Sequence, residues 1–388
     1  MTIAGIIAEY NPLHRGHAWQ IQQTRAATGA DYVVVVMSTC FTQRGLPAVL
    51  PVGDRVSAAL AAGADAVIAL PALWAVRDAE HFALGGVSLL HHLQADFLSF
   101  GCETPDLPLL KQVASLLESP TAAFSAGLQE GLRRGLPHPA AMAQAAEQCC
   151  PGAGTLLSSP NNTLGICYLR ALQRLNSPMA PCLIQRQGRY HDATLQEVAL
   201  PSATAVRDAI HRGDWRQVQQ ALPAEAWSLF HPEHLCREEA FHDLLLYRLR
   251  TMSRNELSLL PDLSEGLEDR LWKALQTART FPELLDNLKT RRYPMARLTR
   301  LCTHALLHMT QQGIDNTPLP PAALLLGYRK ASAPLLSRLG TGTLPLLGRC
   351  SEYPQEAPWF QTEALAWSVW ETAAHQAPGS LFSGVTVR

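Results

Sequence analysis

Short apolar runs and helical patterns alternate along the first hundred residues, and few folds accommodate that alternation. The clearest run, Asp31 to Met37, contains four consecutive valines, as in strands buried on both faces of a parallel sheet. The other predicted strands are Thr2 to Ala8, Ala66 to Leu70, Ala95 to Phe100 and Pro181 to Arg186, with helices predicted near 16–28, 54–62 and 79–93. This order predicts an α/β fold with a Rossmann-like, doubly wound parallel sheet, whose ligands bind beyond the carboxyl ends of the strands.

The second half of the chain has a different pattern. From about residue 208 onward strand signals are absent and apolar residues recur at helical spacing, as in Leu267, Leu271 and Leu275. We therefore predict an α/β domain over residues 1–207 and a mostly α-helical domain over residues 208–388. With 388 residues, each domain has enough chain to bury a core of its own.

The strongest chemical signal is His14-Arg15-Gly16-His17, which follows the first predicted strand and opens a helix. A helix N-terminus attracts phosphate through its free N–H groups and its partial positive charge, and Gly16 lets a phosphate approach the backbone. Imidazoles three residues apart face one site and can donate hydrogen bonds to a phosphoryl group that gains charge. The alternative is a pair of surface histidines. The preceding Glu9-Tyr10-Asn11-Pro12 and the strand before it favour a phosphate site in which His14 and His17 are catalytic.

A second signal lies far downstream, at Ser202-Ala203-Thr204-Ala205-Val206-Arg207. A Ser or Thr at a helix start caps free N–H groups, and the forked guanidinium of Arg207 suits a β- or γ-phosphate. Taken alone, the segment is typical of an ordinary helix cap. Together with the histidine segment it completes a two-part ATP site, to which we assign Ser202, Thr204 and Arg207.

A third feature is a basic stretch over residues 289–300. Five cations occur in twelve residues with a tyrosine, Tyr293, among them. Such a stretch can follow an RNA backbone and stack a base, although a solvated helix face that starts at Pro294 has the same pattern. The candidate RNA-binding residues are Lys289, Arg291, Arg292 and Arg297.

Composition narrows the class of protein. Charged residues make up 17% of the chain and the formal net charge is -1, so any contact with nucleic acid would be a local patch. No apolar run approaches the roughly 20 residues that span a bilayer, the N-terminus lacks the features of a signal peptide, and the nine cysteines lack zinc-site spacing. We expect a cytoplasmic protein with no membrane contact and no protein-built metal site, and the sequence leaves the oligomeric state open.

These motifs resemble a known family. His14-x-Gly16-His17 resembles the HxGH motif of the nucleotidyltransferase superfamily, and Ser202 to Arg207 resembles the S-x-T-x-x-R motif of its adenylyltransferase branch. The longer segment Glu9 to His17 is similar to the bacterial tRNA(Met) cytidine acetate ligase family. The similarity continues through Phe41 to Gly45, Leu70 to Val76, Leu98 to Glu103, Pro160 to Gly165 and Leu288 to Tyr293, over roughly the first 340 residues.

The resemblance implies an HxGH nucleotidyltransferase fold and an enzyme that activates acetate with ATP to acetyl-adenylate. It implies transfer of the acetyl group to N4 of the wobble cytidine of elongator tRNA(Met), with Mg²⁺ expected because ATP chemistry normally needs it to bridge phosphates. The ATP contacts that it implies are Ile7, Ala8, Glu9, Tyr10, Asn11, Pro12, Leu13, His14, Arg15, Gly16, His17, Gln20, Gly101, Asn161, Asn162 and Arg186. For Asn161 and Asn162, capping of the following helix is the alternative, and for Gly101 it is simple termination of a strand.

Two departures from the family pattern leave other functions open. The family tends to have Gly-Asn where this chain has Thr39-Cys40, and an Asp-Lys pair where it has Pro51-Val52. One alternative is an HxGH adenylyltransferase acting on a small phosphate ester that is a coenzyme precursor. Another is an RNA-binding or scaffold protein with a vestigial nucleotide site. The helical half favours the ligase over the first, and intact His14 and Arg207 argue against the second.

Overall fold

A computed structural model describes residues 1–186, 201–263 and 266–388. Within these ranges eight strands form one sheet, and the core of the α/β region packs around it. The strands are β1 (Ile3–Ala8), β2 (Tyr32–Ser38), β3 (Ala66–Leu70), β4 (Phe97–Cys102), β5 (Ala180–Gln185), β6 (Ala323–Tyr328), β7 (Leu346–Leu347) and β8 (Thr386–Val387).

Helices connect these strands and fill the second half of the chain. Those of the first half are α1 (Arg15–Thr28), α2 (Val52–Ala61), α3 (Ala72–Ala75), α4 (Ala79–His92), α5 (Leu107–Glu118), α6 (Ala122–Arg133), α7 (His138–Cys149), α8 (Ala153–Ser158) and α9 (Pro160–Arg174). Those that follow are α10 (Ala203–Arg212), α11 (Trp215–Ala221), α12 (Ala224–Trp227), α13 (His242–Thr251), α14 (Arg254–Ser258), α15 (Leu267–Thr277), α16 (Phe281–Leu288), α17 (Met295–Leu306), α18 (Gln311–Asp315), α19 (Ala333–Leu339) and α20 (Pro358–Ala373). In the described ranges, every helix is too short or too polar to cross a membrane.

The predicted parallel sheet is confirmed. The first five strands are parallel and lie in the order β5-β4-β1-β2-β3, so their carboxyl ends meet along one edge. Strand β2 lies at the centre, and the side chains of its four valines, residues 33–36, are fully buried. The chain runs outward from β1 to β3 and then returns to the other side of β1 for β4. The switch point therefore lies between β1 and β4, where an open α/β sheet forms its ligand crevice.

The part of the chain after residue 208, where strand signals are absent from the sequence, contributes three short strands within the described ranges. Strand β6 pairs antiparallel with β3, and the two-residue strands β7 and β8 pair with β6. The residues that form β6 are a short apolar run, and periodicity alone cannot distinguish such a run from a turn of buried helix. The C-terminal part of the chain is therefore mostly helical but completes the sheet, while the predicted division at residues 207 and 208 stays a prediction.

One loop beyond the edge of the sheet is fixed against the helical half. Gly45 has a φ of 79°, and a Cβ atom at this position would lie 2.7 Å from the Cα atom of Arg300 in α17. The Thr303 hydroxyl, also on α17, donates to the Gly45 carbonyl at 2.7 Å. Only glycine combines this backbone conformation with this close approach. The loop at residues 42–45 is thus held between the sheet edge and α17.

Candidate active site

Helix α1 begins with an unusual cap made by two histidines. His14 is the N-cap residue, and its Nδ1 atom accepts the N–H of Gly16 at 3.1 Å. The N–H of His14 in turn donates to Nδ1 of His17 at 3.3 Å. Each Nδ1 atom therefore acts as an acceptor, which places the ring proton on Nε2 in the neutral imidazole. Each ring keeps one N–H donor that the cap does not use.

The two rings are stacked and electrically neutral. Their centroids lie 3.7 Å apart, with an angle of 21° between the planes. Burial, the neighbouring His17 and the charges of Arg186 and Arg207 hold the pKa of His14 well below its usual value. Burial and the charge of Arg186 lower the pKa of His17 to about 3. Two neutral donors at the positive end of a helix stabilise a phosphate that gains charge without bringing a proton that must be removed.

The low histidine pKa values predict that the protein loses stability in mild acid. The unfolded chain binds a proton on each histidine below about pH 6.5, whereas folded His17 stays neutral down to about pH 3. Unfolding is therefore favoured as the pH falls through this window, by up to about 1.4 kcal/mol between pH 6.5 and pH 5.5 for this residue. Urea denaturation at several pH values should show a steeper loss in the wild type than in His17→Asn. Equal slopes would contradict a neutral His17.

These histidines open onto a cleft at the carboxyl edge of the sheet. Its volume of about 330 Å³ is within the roughly 300–1,000 Å³ of small-molecule sites. Of the residues predicted to bind ATP, the cleft brings together Ile7, Ala8, Glu9, Tyr10, Asn11, His14, His17, Gln20, Gly101, Asn161, Arg186, Ser202, Thr204 and Arg207. Gly16 lines a smaller adjoining cavity with Gly101 and Arg186. Pro12, Leu13, Arg15 and Asn162 are not part of either wall.

The downstream segment joins the first across this cleft. Ser202 caps α10 by accepting the N–H of Ala205 at 3.1 Å. Arg207, one turn further, donates to the Asn11 carbonyl at 2.9 Å and to the Thr204 hydroxyl at 3.2 Å. The capping expected of Ser202 is therefore present, and Arg207 links α10 to the loop that precedes α1. The two motifs form one site, although 196 positions separate Asn11 from Arg207.

Asn161 and Asn162 have different surroundings. The Oδ1 atom of Asn161 accepts from the Arg186 guanidinium at 3.3 Å, which holds Arg186 at the cleft wall. Asn162 is fully buried, and its Oδ1 atom accepts the N–H groups of Glu103 and Thr104 at 3.0 and 3.2 Å. Asn162 therefore fixes the loop after β4. A direct contact between ATP and Asn162 stays a prediction from the resemblance.

Arg55 supports the cleft, and nothing in the sequence pattern predicted its role. Its buried guanidinium donates to the carbonyl groups of Glu9 at 2.9 Å, Ser38 at 2.9 Å and Leu50 at 3.2 Å, and also to that of Thr39. Burial lowers its pKa to about 10, so the group stays charged at neutral pH. The available signal was an arginine on the face of α2 that is otherwise apolar. This side chain holds together the segments that leave β1 and β2.

Both departures from the family pattern lie outside the set of residues that line the cleft. Thr39 and Cys40 are buried, and burial raises the pKa of the Cys40 thiol well above its usual value. Val52 is the buried first residue of α2. Their side chains do not line the cleft. The departures therefore leave the walls formed by the two motifs unchanged.

The basic stretch lies beside the loop at residues 42–45, at the start of α17. Lys289, Arg291 and Arg292 are exposed. Tyr293 is buried, with the guanidinium groups of Arg292 and Arg297 at 5.8 and 5.7 Å from its ring centroid. The expectation that this tyrosine stacks a base is therefore wrong. Arg297 also donates to the Asp262 carbonyl at 2.6 Å, so its guanidinium supports the protein surface.

A protein-built metal site is absent from the described ranges. No cluster of three or more His, Cys, Asp or Glu side chains with metal-binding geometry occurs there. In ATP sites magnesium takes most of its ligands from phosphates and water, so this absence does not bear on an ion bound together with ATP.

Comparisons with known proteins show which family the chain resembles. A sequence profile of the family described as HIGH Nucleotidyl Transferase matches residues 1–380. The protein named tRNA(Met) cytidine acetate ligase from Geobacillus sp. (strain WCH70) is 34% identical over 94% of this chain and 93% of its own length. The protein of the same name from Bacillus subtilis (strain 168) is 33% identical over 92% of this chain and 89% of its own length.

A solved structure extends the comparison to three dimensions. Thermotoga maritima TmcAL, crystallised with alpha-thio ATP, superposes with a TM-score of 0.91 at 25% identity, covering 100% of this chain and 99% of the other. That neighbour thus binds an ATP analogue on the same fold. With two motifs joined in one cleft and a family match along almost the whole chain, the chain belongs to the tRNA(Met) cytidine acetate ligase family of the HIGH nucleotidyltransferases.

Proposed function

We propose that this protein is an ATP-dependent ligase that activates acetate as acetyl-adenylate and transfers the acetyl group to N4 of the wobble cytidine of elongator tRNA(Met). The observation that carries the proposal is the neutral pair His14 and His17 at the start of α1, joined by Arg207 into one cleft. The names of the relatives support the substrates. The reaction would take place in the cytoplasm, where ATP and tRNA are available.

In the first half-reaction an acetate oxygen attacks the α-phosphate of ATP and pyrophosphate leaves. The Nε2–H donors of the two histidines and the N-terminus of α1 stabilise the charge that accumulates on the phosphate oxygens. Arg207 holds the leaving phosphates, because its fork is fixed by Asn11 and Thr204. Mg²⁺ bound to ATP would neutralise part of the triphosphate charge, and no described cluster of side chains is needed to hold it.

Pyrophosphate exchange into ATP tests this function. Exchange that depends on acetate supports the ligase. Exchange that instead requires a phosphate ester related to coenzyme precursors would identify a small-molecule adenylyltransferase. Absence of exchange with every acceptor would leave an RNA-binding protein with an inactive nucleotide site. Acetate-dependent incorporation of radiolabel into elongator tRNA(Met), with another tRNA as control, then tests the second half-reaction.

The exposed cations before α17 are the proposed tRNA contact, together with Arg297. Replacement of Lys289, Arg291 and Arg292 by alanine is expected to weaken tRNA binding and to lower its salt dependence by roughly 0.7–0.9 for each phosphate that the variant no longer neutralises. Arg297 stays in place in this variant because it also binds Asp262. Filter binding at several salt concentrations measures both effects. The control variant replaces two exposed cations at the end of α6, Arg133 and Arg134, by alanine. Equal tRNA affinity in variant and wild type would show that the stretch is only a solvated surface.

A further inference from the structure

The carboxyl edge of the sheet has two faces, and α1, which begins at the first motif, covers one of them. On β4, the Ser99 hydroxyl lies 2.6 Å from that of Thr24 in α1. The next residue, Phe100, points to the opposite face, where its ring lies against Gly165 of α9. Successive residues of a strand point to opposite faces, so α1 covers one face and α9 covers the other. Helix α4 packs against α9 and shares that second face.

Continued one residue past β1, which ends at Ala8, the same alternation points Glu9 toward the second face. Ile7 of β1 lies against Gly86 of α4, and Glu9 follows two residues later. Tyr10, between Glu9 and the motif, points the other way, with its ring centroid 5.0 Å from that of His17. The Glu9 carboxylate is fixed in place because it accepts the N–H of Gln43 at 2.6 Å. The carbonyl group of Glu9 is held by Arg55.

Aromatic side chains surround the cleft on this second face. Phe82 of α4, Phe100 of β4 and Tyr168 of α9 line it, with the Phe100 and Tyr168 centroids 5.5 Å apart. Glu9 and Tyr168 line the same cleft, and burial followed by the negative charge of Glu9 raises the pKa of Tyr168. We call Glu9, Phe82, Phe100 and Tyr168 the aromatic compartment.

The chemistry of this compartment excludes some ligands and suits another. The Glu9 carboxylate disfavours direct contact with a phosphate or with the carboxylate of acetate, while the charges of Arg207 and Arg44 act on the same side chain. Aromatic walls suit a planar ring, and a carboxylate accepts a hydrogen bond from an exocyclic amine. Cytosine presents such an amine at position 4, where uracil presents a carbonyl oxygen that would face the carboxylate unfavourably.

We propose that the aromatic compartment holds the target cytosine and that Glu9 accepts the hydrogen bond of its 4-amino group and then its proton. This inference rests on the proposed function. The amine nitrogen attacks the carbonyl carbon of acetyl-adenylate, and a carbon–nitrogen bond forms. The bond from that carbon to the phosphate oxygen breaks, AMP leaves with the electron pair, and one amine proton moves to the Glu9 carboxylate. Burial raises the pKa of Glu9, which makes its carboxylate a stronger base than an exposed one.

Glu9→Gln tests the assignment, because glutamine keeps the shape and can still accept the N–H of Gln43. Acetyl transfer to tRNA is expected to fall by ~10²–10⁴ more than acetate-dependent ATP–pyrophosphate exchange does in the same variant. The control is Glu130→Gln, an exposed carboxylate on α6 that pairs with Arg133. Thermal unfolding of each variant establishes that it is folded.

A competition experiment measures discrimination between cytidine and uridine, which would not change if Glu9 had only a structural role. Elongator tRNA(Met) transcripts with uridine at the target position should compete poorly with cytidine transcripts for the wild type. The uridine transcripts should compete roughly ten- to a hundredfold better for the Glu9→Gln variant than for the wild type, because the amide can donate to O4 of uracil.

A loss of exchange as large as the loss of transfer in a folded Glu9→Gln variant would place this residue with ATP and overturn the assignment. Full transfer activity, or unaltered discrimination against uridine, would also overturn it. A wild type without acetate-dependent exchange would instead overturn the proposed function, and the competition experiment would still decide whether the compartment reads a base.

Discussion

Replacing His17 by alanine is expected to lower the rate of acetate-dependent ATP–pyrophosphate exchange by ~10²–10³. The ring contributes one neutral Nε2–H donor toward the cleft, since its Nδ1 atom is occupied by the N–H of His14. That donor gains strength only as negative charge grows on the transferred phosphate, so its removal acts mainly on kcat. Exchange measured at saturating and at limiting ATP separates kcat from KM.

The alanine variant also removes the Nδ1 acceptor of the His14 N–H. A second variant separates the loss of this acceptor from the loss of the Nε2–H donor. In His17→Asn the side-chain oxygen can replace Nδ1 as acceptor, but no group replaces Nε2–H. We expect thermal stability close to that of the wild type and the same large loss of exchange. Recovery of exchange in the asparagine variant would mean that His17 acts only as a cap.

The sheet was predictable because its central strands are buried on both sides. Residues 33–36 have no exposed face, so a continuous β-branched run was the expected pattern, and the predicted bounds of β3 agree with the structure to the residue. Strand β6 was missed because its pairing with β3 depends on a partner more than 250 positions away. Periodicity records which face of an element is buried and carries no information about such a partner.

The candidate site was predictable where the backbone itself forms it. The segments at His14 and Ser202 both begin helices, so capping chemistry and phosphate chemistry leave local patterns in the sequence. Arg55 leaves no comparable pattern, because its partners are carbonyl groups brought together only by the fold. The burial of Tyr293 could not be predicted for the same reason, since the polarity of its sequence neighbours does not show which side chains pack against the protein.

Replacing Arg207 by alanine is expected to lower kcat/KM for ATP by about 10- to 100-fold, the effect of removing one hydrogen-bonded charge. The guanidinium donates to Asn11 and to Thr204 and lines the cleft beside the histidines. Because these hydrogen bonds fix the group before ATP arrives, it binds the phosphates already in the ground state, and more strongly in the transition state, where charge accumulates on the leaving pyrophosphate. KM should therefore rise along with the fall in kcat, unlike the kcat effect expected for His17.

Arg207→Lys separates the charge from the geometry of this interaction. Lysine keeps a positive charge, but its single ammonium group cannot bridge the Asn11 carbonyl, the Thr204 hydroxyl and a phosphate with the planar fork of arginine. We expect partial recovery of ATP affinity and little recovery of kcat, measured by calorimetry and by exchange. ATP affinity that is the same in Arg207→Ala as in the wild type would leave only the helix cap at Ser202, and the downstream segment would then have no part in the ATP site.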